Sequence, residues 1–213
     1  MNGKLSPLQR DLLAEFFRLE GRFFLTGGAA LAGFHLGHRA TQDLDLFATS
    51  EILDDGEAAL REAARRIGAS LEAIRTAPDF RRRLARRGEE SVIVDLVLDR
   101  APQGDEPKLR FGDVSVDPPR DILANKLCTL LSRAEIRDLV DVLALEKAGY
   151  RVEEALSLAA RKDAGLTPAQ LAWVLSEMQI GDDADVPGGV TPGALRAFLK
   201  DLESRLTRLA FPP

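Results

Sequence analysis

The chain has 213 residues, carries a formal charge of -5 and is 45% hydrophobic. That length suits one domain or a domain with a helical appendage, and the acidic balance excludes a protein that coats nucleic acid with its whole surface. No run of about 18 apolar residues exists to span a bilayer, and Met1-Asn2-Gly3-Lys4-Leu5-Ser6-Pro7 lacks the apolar stretch of a leader, so a cytoplasmic protein with no membrane attachment is expected.

Pro7 sits where a first helical turn tolerates proline, and Leu8, Leu12, Leu13, Phe16, Phe17 and Leu19 recur at helical spacing until Gly21, which predicts an amphipathic opening helix. Phe23 to Thr26 reads as a short strand that breaks at Gly27-Gly28, and Ala29 to Leu36 reads as a buried helix ending near Gly37. Asp43 to Phe47 alternates with period two, and Asp54 to Ile67 is helical with a stop at Gly68. Phe80 to Arg87 and Ser91 to Leu98 predict a hairpin in which Arg82 faces Asp95, whether its turn uses two residues or four.

Lys108 to Val116 is a further candidate strand, closed by Asp117-Pro118-Pro119. Five helices are expected beyond it: Asp121 to Ser132, Ile136 to Ala148, Val152 to Arg161, Pro168 to Met178 and Pro192 to Leu209. Composition therefore divides the chain into a mixed α/β part, 1–117, and a helical part, 118–213, with a loop expected over the glycine-rich, acidic segment 181–190. Cys128 cannot form an internal disulfide and reads as a buried thiol, and Trp173 reads as core. His35 and His38 suit core and loop roles, since no further histidines exist to complete a zinc site.

Asp43 and Asp45 lie two apart on a strand, so both carboxylates leave one face, roughly 7 Å apart at Cα. That is either a solvated strand face or a site for a hard cation such as Mg²⁺ (or Mn²⁺), which uses one or two carboxylates and completes its shell with waters and phosphates. Gly27-Gly28 is either a tight turn or a place where the backbone approaches a phosphate. Together, a glycine turn, one short helix and then Asp-x-Asp bring a phosphate cradle and metal ligands to neighbouring strand ends. Asp95 interrupts an apolar strand and needs a partner, because an unpaired buried carboxylate costs several kcal/mol. Its partner is either the metal, with Asp95 as third ligand or general base, or Arg82. Residues 61–88 hold nine arginines against three acids, which makes either a basic surface for an anion such as an RNA backbone or a solvated strand. HAD-like phosphatases also use Asp-x-Asp, but they need it after an apolar strand, and Arg39-Ala40-Thr41-Gln42 is polar.

Leu25-Thr26-Gly27-Gly28, Arg39-Ala40-Thr41-Gln42-Asp43-Leu44-Asp45-Leu46-Phe47 and Val94-Asp95-Leu96 resemble the polymerase-beta-type nucleotidyltransferase signature. The Arg-x-Thr-x-Asp-x-Asp-Leu form is similar to the AbiEii/AbiGii toxin family, and Lys126 through Arg133 to Arg137-Asp138-Leu139-Val140-Asp141 resembles that family's later lysine-to-Arg-Asp motif. The resemblance spans roughly residues 20 to 145. It implies a nucleotidyltransferase fold, a small mixed sheet flanked by helices, with a helical C-terminal bundle completing the active-site cleft. Carried over by position, it implies Asp43 and Asp45 as metal ligands and catalytic acids, Lys126 as a phosphate contact, and Asp138 or Asp141 as a later acid; the residues themselves add Asp95 as third acid and metal ligand, Thr26, Gly27, Gly28 and Arg39 at the nucleotide, and Arg133 and Arg137 beside Lys126 on its phosphates. If the helix runs unbroken, Lys126, Arg133 and Arg137 share one face with Asp141 nearby, which alternatively describes a solvated face with an Arg137 to Asp141 ion pair. The implied activity is transfer of a nucleotide from an NTP to a hydroxyl on RNA (tRNA) or protein, in a toxin with a cognate antitoxin. The alternative is a non-catalytic nucleotide- or RNA-binding module on the same fold.

Overall fold

The opening helix, α1 (Pro7–Leu19), starts at a capping box: Ser6 Oγ accepts from the Gln9 N–H at 3.2 Å and Gln9 Oε1 accepts from the Ser6 N–H at 2.8 Å. The structure is a computed structural model that describes residues 4–212; Met1–Gly3, part of the stretch read for a leader, and Pro213 lie outside the described residues. The chain divides into two compact units, Met1–Arg100 with Glu106–Pro118, and Ala101–Asp105 with Pro119–Pro213.

In the first unit β1 (Phe24–Thr26) runs straight into α2 (Gly27–Ala30), which continues as a π-turn over Leu31–His35. The helical run thus begins two residues before the apolar pattern does. After it come β2 (Asp43–Ala48), α3 (Leu53–Arg66), β3 (Ser70–Ala77), β4 (Phe80–Arg87), β5 (Glu90–Leu98), β6 (Leu109–Phe111) and β7 (Val114–Val116). They form one mixed sheet in the order β3-β4-β5-β2-β1-β7-β6, with β2/β5 and β1/β7 parallel and the other pairs antiparallel. Arg87 pairs with Glu90, so the β4–β5 turn uses two residues, Gly88 and Glu89.

Two differences from the sequence reading have local causes. Strand β3 is unpredicted because nearly all of Ser70–Ala77 is exposed on this edge of the sheet, leaving no alternation to detect. The single strand expected over Lys108–Val116 is a hairpin of two three-residue strands, turned at Gly112, whose φ is +63°.

Helices α1 and α3 pack together, and both reach the sheet. Arg83 shows which face α3 covers: it is 3% exposed and places Nη2 2.7 Å and Nε 3.2 Å from Glu57 of α3, with Nη1 on the carbonyls of Arg75 and Arg82 at 2.9 Å. Val94 pairs with Arg83 and Leu44 with Val94, so the buried leucines of β2 look toward α3. Residues 43, 45, 95 and 82, one step out of phase, look the other way.

The second unit holds α4 (Pro119–Arg133), α5 (Ile136–Lys147), α6 (Val152–Lys162), α7 (Pro168–Ser176) and α8 (Pro192–Ala210). Helices α7 and α8 each start on a Thr-Pro pair, with Thr167 and Thr191 accepting the third-residue N–H. Arg205 of α8 joins Glu146 at 2.5 Å and Glu153 at 2.7 Å, tying α8 to α5 and α6. Segment 181–190 is a loop with one 3-10 turn at Pro187–Gly189.

The gap expected between a helix ending at Ser132 and one starting at Ile136 is present, with Ala134 at φ +47° between α4 and α5, so the conditional case of one unbroken helix from Lys126 to Asp141 does not hold. Two other expectations for this unit fail. Trp173 is 61% exposed instead of core, because its apolar neighbours Leu171 and Leu175 take the buried face of α7. Cys128 is half-buried, with Sγ 3.6 Å from the Ala159 carbonyl. Among the described residues no helix is long and apolar enough to cross a membrane.

Candidate active site

Strand register assembles a polar row across four strands. Thr26 of β1 pairs with Asp45 of β2, Asp45 with Asp95 of β5, and Asp95 with Arg82 of β4. Directly paired residues project from the same face, and Asp43, two residues before Asp45, shares it. The three aspartates singled out by the sequence therefore stand side by side on the face turned away from α3. Asp43 and Asp45 are half-buried and Asp95 is 6% exposed.

Beside the row, Gly27 holds φ +65°, and a Cβ there would lie 2.2 Å from Asp45 Oδ2. The Asp45 carboxylate occupies the space that any other residue's side chain would take. At Gly28 a Cβ would meet Arg39 Nη2 at 3.0 Å and Thr41 Oγ1 at 3.2 Å. The glycine pair thus admits the site's own side chains, and Arg39, only 7% exposed, lies against it with Nη1 on the Ala40 carbonyl at 3.0 Å. Thr41 was missed by the sequence reading; its place in the Arg-x-Thr pattern was the available signal.

Thr26 extends the row in the opposite direction. Its hydroxyl donates to Asp117 Oδ2 at 2.6 Å, Asp117 Oδ1 receives Lys108 Nζ at 2.5 Å, and Lys108 lies 4.2 Å from the centre of the Phe24 ring. Asp117 is 1% exposed, and its carbonyl meets His35 Nε2 at 2.8 Å. Burial lowers the His35 pKa, only partly offset by that hydrogen bond. Asp117 was also missed, although it closes an apolar strand much as Asp95 interrupts one.

Asp95 has taken the arginine. Arg82 Nε lies 2.9 Å from Oδ1 and Nη2 2.7 Å from Oδ2, a bidentate pair whose arginine side chain is 45% exposed. Hydrogen bonding to Asp95 raises the Arg82 pKa, and the charges of Asp95, Asp43 and Asp45 add to it despite partial burial. Among the described residues no three His, Cys, Asp or Glu side chains are disposed to hold a metal ion together. Both oxygens of the third acid, Asp95, are engaged by Arg82.

The later motif forms a separate network within the helical unit. Lys126 Nζ lies 2.7 Å from Asp138 Oδ1 and 2.6 Å from Asp141 Oδ2, and Arg133 Nε and Nη2 both lie 2.9 Å from Asp138 Oδ2. Asp138 and Asp141 are fully buried and Lys126 is 7% exposed. Burial by itself would lower the Lys126 pKa, but the charges of Asp141 and Asp138 outweigh it and hold the ammonium above its usual value. Arg137 lies 2.6 Å from Glu135, and the break at Ala134 removes the shared Lys/Arg face that an unbroken helix would have made.

Residues 11–208 match the family model described as "Nucleotidyl transferase AbiEii toxin, Type IV TA system". The chain belongs to this family. Among solved structures it is similar to MenT4, a nucleotidyltransferase toxin from Mycobacterium tuberculosis, at 19% identity and TM-score 0.62, covering 94% of this chain and 82% of that one. It is also similar to JHP933 from Helicobacter pylori, at 20% identity and TM-score 0.59, covering 97% and 96% of the two chains. The antibiotic-resistance factor ANT(2'')-Ia matches over 72% of this chain and 90% of its own at 16% identity and TM-score 0.51. These likenesses establish a nucleotidyltransferase fold; no curated protein matches by sequence. The chain is accordingly a nucleotidyltransferase of the AbiEii toxin family, with the mixed sheet and helices that the sequence resemblance implied.

Two other features of this AbiEii member are accounted for by internal pairing. Most of the arginine-rich window is matched by acids: Arg61 with Glu57, Arg65 and Arg66 with Glu62, Arg81 with Asp54 and Glu57, Arg83 with Glu57, and Arg87 with Asp11. A cavity of about 520 Å³ in the sheet unit, lined by Asp54, Asp79, Arg81 and Arg100 among others, shares no lining residue with the acid row. Its charges pair across it, Arg100 with Asp79 at 3.0 Å and Arg81 with Asp54 at 3.1 Å.

Proposed function

We propose that the protein transfers a nucleotide from an NTP to an acceptor hydroxyl, on RNA (tRNA) or protein, in a magnesium- or manganese-dependent reaction, as the toxin of a cytoplasmic toxin–antitoxin pair. The observation that carries this reading is the row Thr26–Asp45–Asp95–Arg82 with Gly27 against the Asp45 carboxylate. An all-oxygen pair of half-buried carboxylates beside a cradle that a Cβ would fill suits a hard divalent cation. Asp43 and Asp45 would hold that ion, and Asp95 is the third acid. When bound, the ion supplies charge neutralisation for the triphosphate and the leaving pyrophosphate.

The chain's own groups do the rest in this reading. The backbone of Gly27 and Gly28 admits a phosphate closely, Thr26 fixes the end of β1 through Asp117, and Arg39 sets a positive charge beside the turn. Asp95, once released by Arg82, accepts the proton of the attacking hydroxyl. Lys126 on nucleotide phosphates, and Asp138 or Asp141 as a later acid, follow from the family resemblance, and Arg133 and Arg137 are further cations for those phosphates. For Lys126 and Arg133 that role requires exchanging the ion pairs described above for nucleotide contacts.

Incubation with total RNA and each α-labelled NTP, followed by electrophoresis of RNA and protein, tests the proposal. Label on an acceptor, with pyrophosphate release, is expected for the wild type and is lost in Asp45→Ala. Nucleotide binding without transfer under any NTP and acceptor would replace the enzyme by a binding module.

A further inference from the structure

The Arg82–Asp95 pair is more than a neutralised strand carboxylate. A guanidinium that engages both oxygens of an acid is a directional partner, and its positive charge beside that acid opposes the approach of a second cation. Asp95 stands next to Asp45 in the parallel β2–β5 register, so Arg82 closes one end of the acid row from the neighbouring strand β4. Its own position is conditional. The side chain is 45% exposed, and while it holds Asp95 its guanidinium also lies 5.5 Å from the centre of the Phe80 ring, so water reaches one side of the pair.

We propose that Arg82 is a built-in counter-cation of the acid row, which withholds Asp95 from a divalent ion and thereby sets how tightly the protein binds that ion. The inference rests on the metal-dependent reading above. With Arg82 in place the row offers two carboxylates to a divalent ion; with Arg82 withdrawn it offers three, and a positive charge leaves the ion's surroundings. A unit charge at roughly 6 Å, in surroundings between water and protein interior, changes divalent affinity on the order of tenfold or more.

Mn²⁺ binding to the nucleotide-free protein, read by electron paramagnetic resonance of the free ion, measures this without any turnover. Arg82→Gln is expected to bind Mn²⁺ about tenfold tighter than the wild type. Asp95→Asn in the same chain is expected to erase that gain, since the gain runs through Asp95. Arg82→Lys keeps the charge but loses the fork, and should fall between; it also serves if Arg82→Gln fails the circular-dichroism check for folding. Unchanged or weaker Mn²⁺ binding in the folded Arg82 variants overturns the inference, as does a gain that survives Asp95→Asn. The wild type beside Asp45→Asn separates the two levels of failure. If wild-type binding depends on Asp45 and the Arg82 variants behave like wild type, only the counter-cation role is lost. If no Mn²⁺ binds or Asp45→Asn makes no difference, the metal-dependent reading falls and takes this inference with it.

Discussion

The sheet row and the helical network contain the same chemistry, carboxylates against cations, in opposite states of hydration. In the row, Asp43 and Asp45 are half-buried and Arg82 is substantially exposed. In the network, Asp138 and Asp141 are fully buried, Lys126 nearly so, and Lys126 bridges both acids. Water reaches the Arg82 end of the row, although Asp95 itself is 6% exposed, so the guanidinium can leave more readily than the carboxylate can go without a partner. No such exchange is cheap in the network, where a charge that loses its partner stays desolvated. Residue type alone therefore predicts little about how readily a cluster can exchange partners; accessibility sets that cost, and a nucleotide contact by Lys126 has to meet it.

The largest expected effect breaks the network. Lys126→Ala leaves two buried acids without their shared cation and should lower the unfolding free energy by about 3–5 kcal/mol. Asp45→Ala, on the half-buried row, should cost about 1 kcal/mol or less while abolishing nucleotide transfer. Urea denaturation of both variants checks the contrast. A Lys126→Ala protein with a wild-type midpoint would remove the distinction between the two clusters.

A smaller effect separates backbone strain from site geometry. Gly27 and Gly88 both hold left-handed backbone, at φ +65° and +59°, but a Cβ at Gly88 meets nothing within 4 Å whereas at Gly27 it strikes the Asp45 carboxylate. Gly88→Ala should cost about 1–2 kcal/mol and leave transfer intact. Gly27→Ala should cost more than that and lower the transfer rate on the order of 100-fold, because Asp45 must move. Equal losses of transfer in the two variants would show that the Gly27 contact has no part in activity.

The row was legible because its signals are periodic or anomalous: Asp43 and Asp45 alternate with buried leucines, Asp95 breaks an apolar strand, and hairpin register placed Arg82 opposite it. The partner of Asp95 could not be chosen from sequence, because a cation and a metal answer the same need. Thr41 and Asp117 were missed because they act through contacts made by folding, Thr41 against Gly28 and Asp117 on Thr26 across β1 and β7. The helices were placed nearly end to end from spacing and caps. The gap around Ala134 was placed too, between helices ending at Ser132 and starting at Ile136; its left-handed residue was not, since alanine is a strong helix former and gives no local warning of one. Trp173 misled for a related reason: helical spacing places a residue on a face only approximately, and its neighbours Leu171 and Leu175 hold the buried one.

The smallest effect sharpens the comparison through pH. Both histidines of the chain, His35 and His38, belong to the sheet unit, and burial holds the His35 pKa below its usual 6.5. The folded state thus prefers the neutral ring that meets the Asp117 carbonyl. Above the unfolded value of 6.5 neither state binds the proton and His35 contributes its full stability. As pH falls below that value the unfolded chain protonates first, so stability declines until the folded pKa is reached and changes no further with this group. Amide-exchange protection of Leu25 and Val116, paired across β1 and β7, should therefore weaken through that window after correction for intrinsic exchange. The α5 amides should not follow, because the helical unit has no histidine and Lys126 is held charged by Asp141 and Asp138. His35→Gln should flatten the β1 and β7 response. If the response persists in that variant, His35 is not the group that makes the strand-end support of Thr26 sensitive to acid.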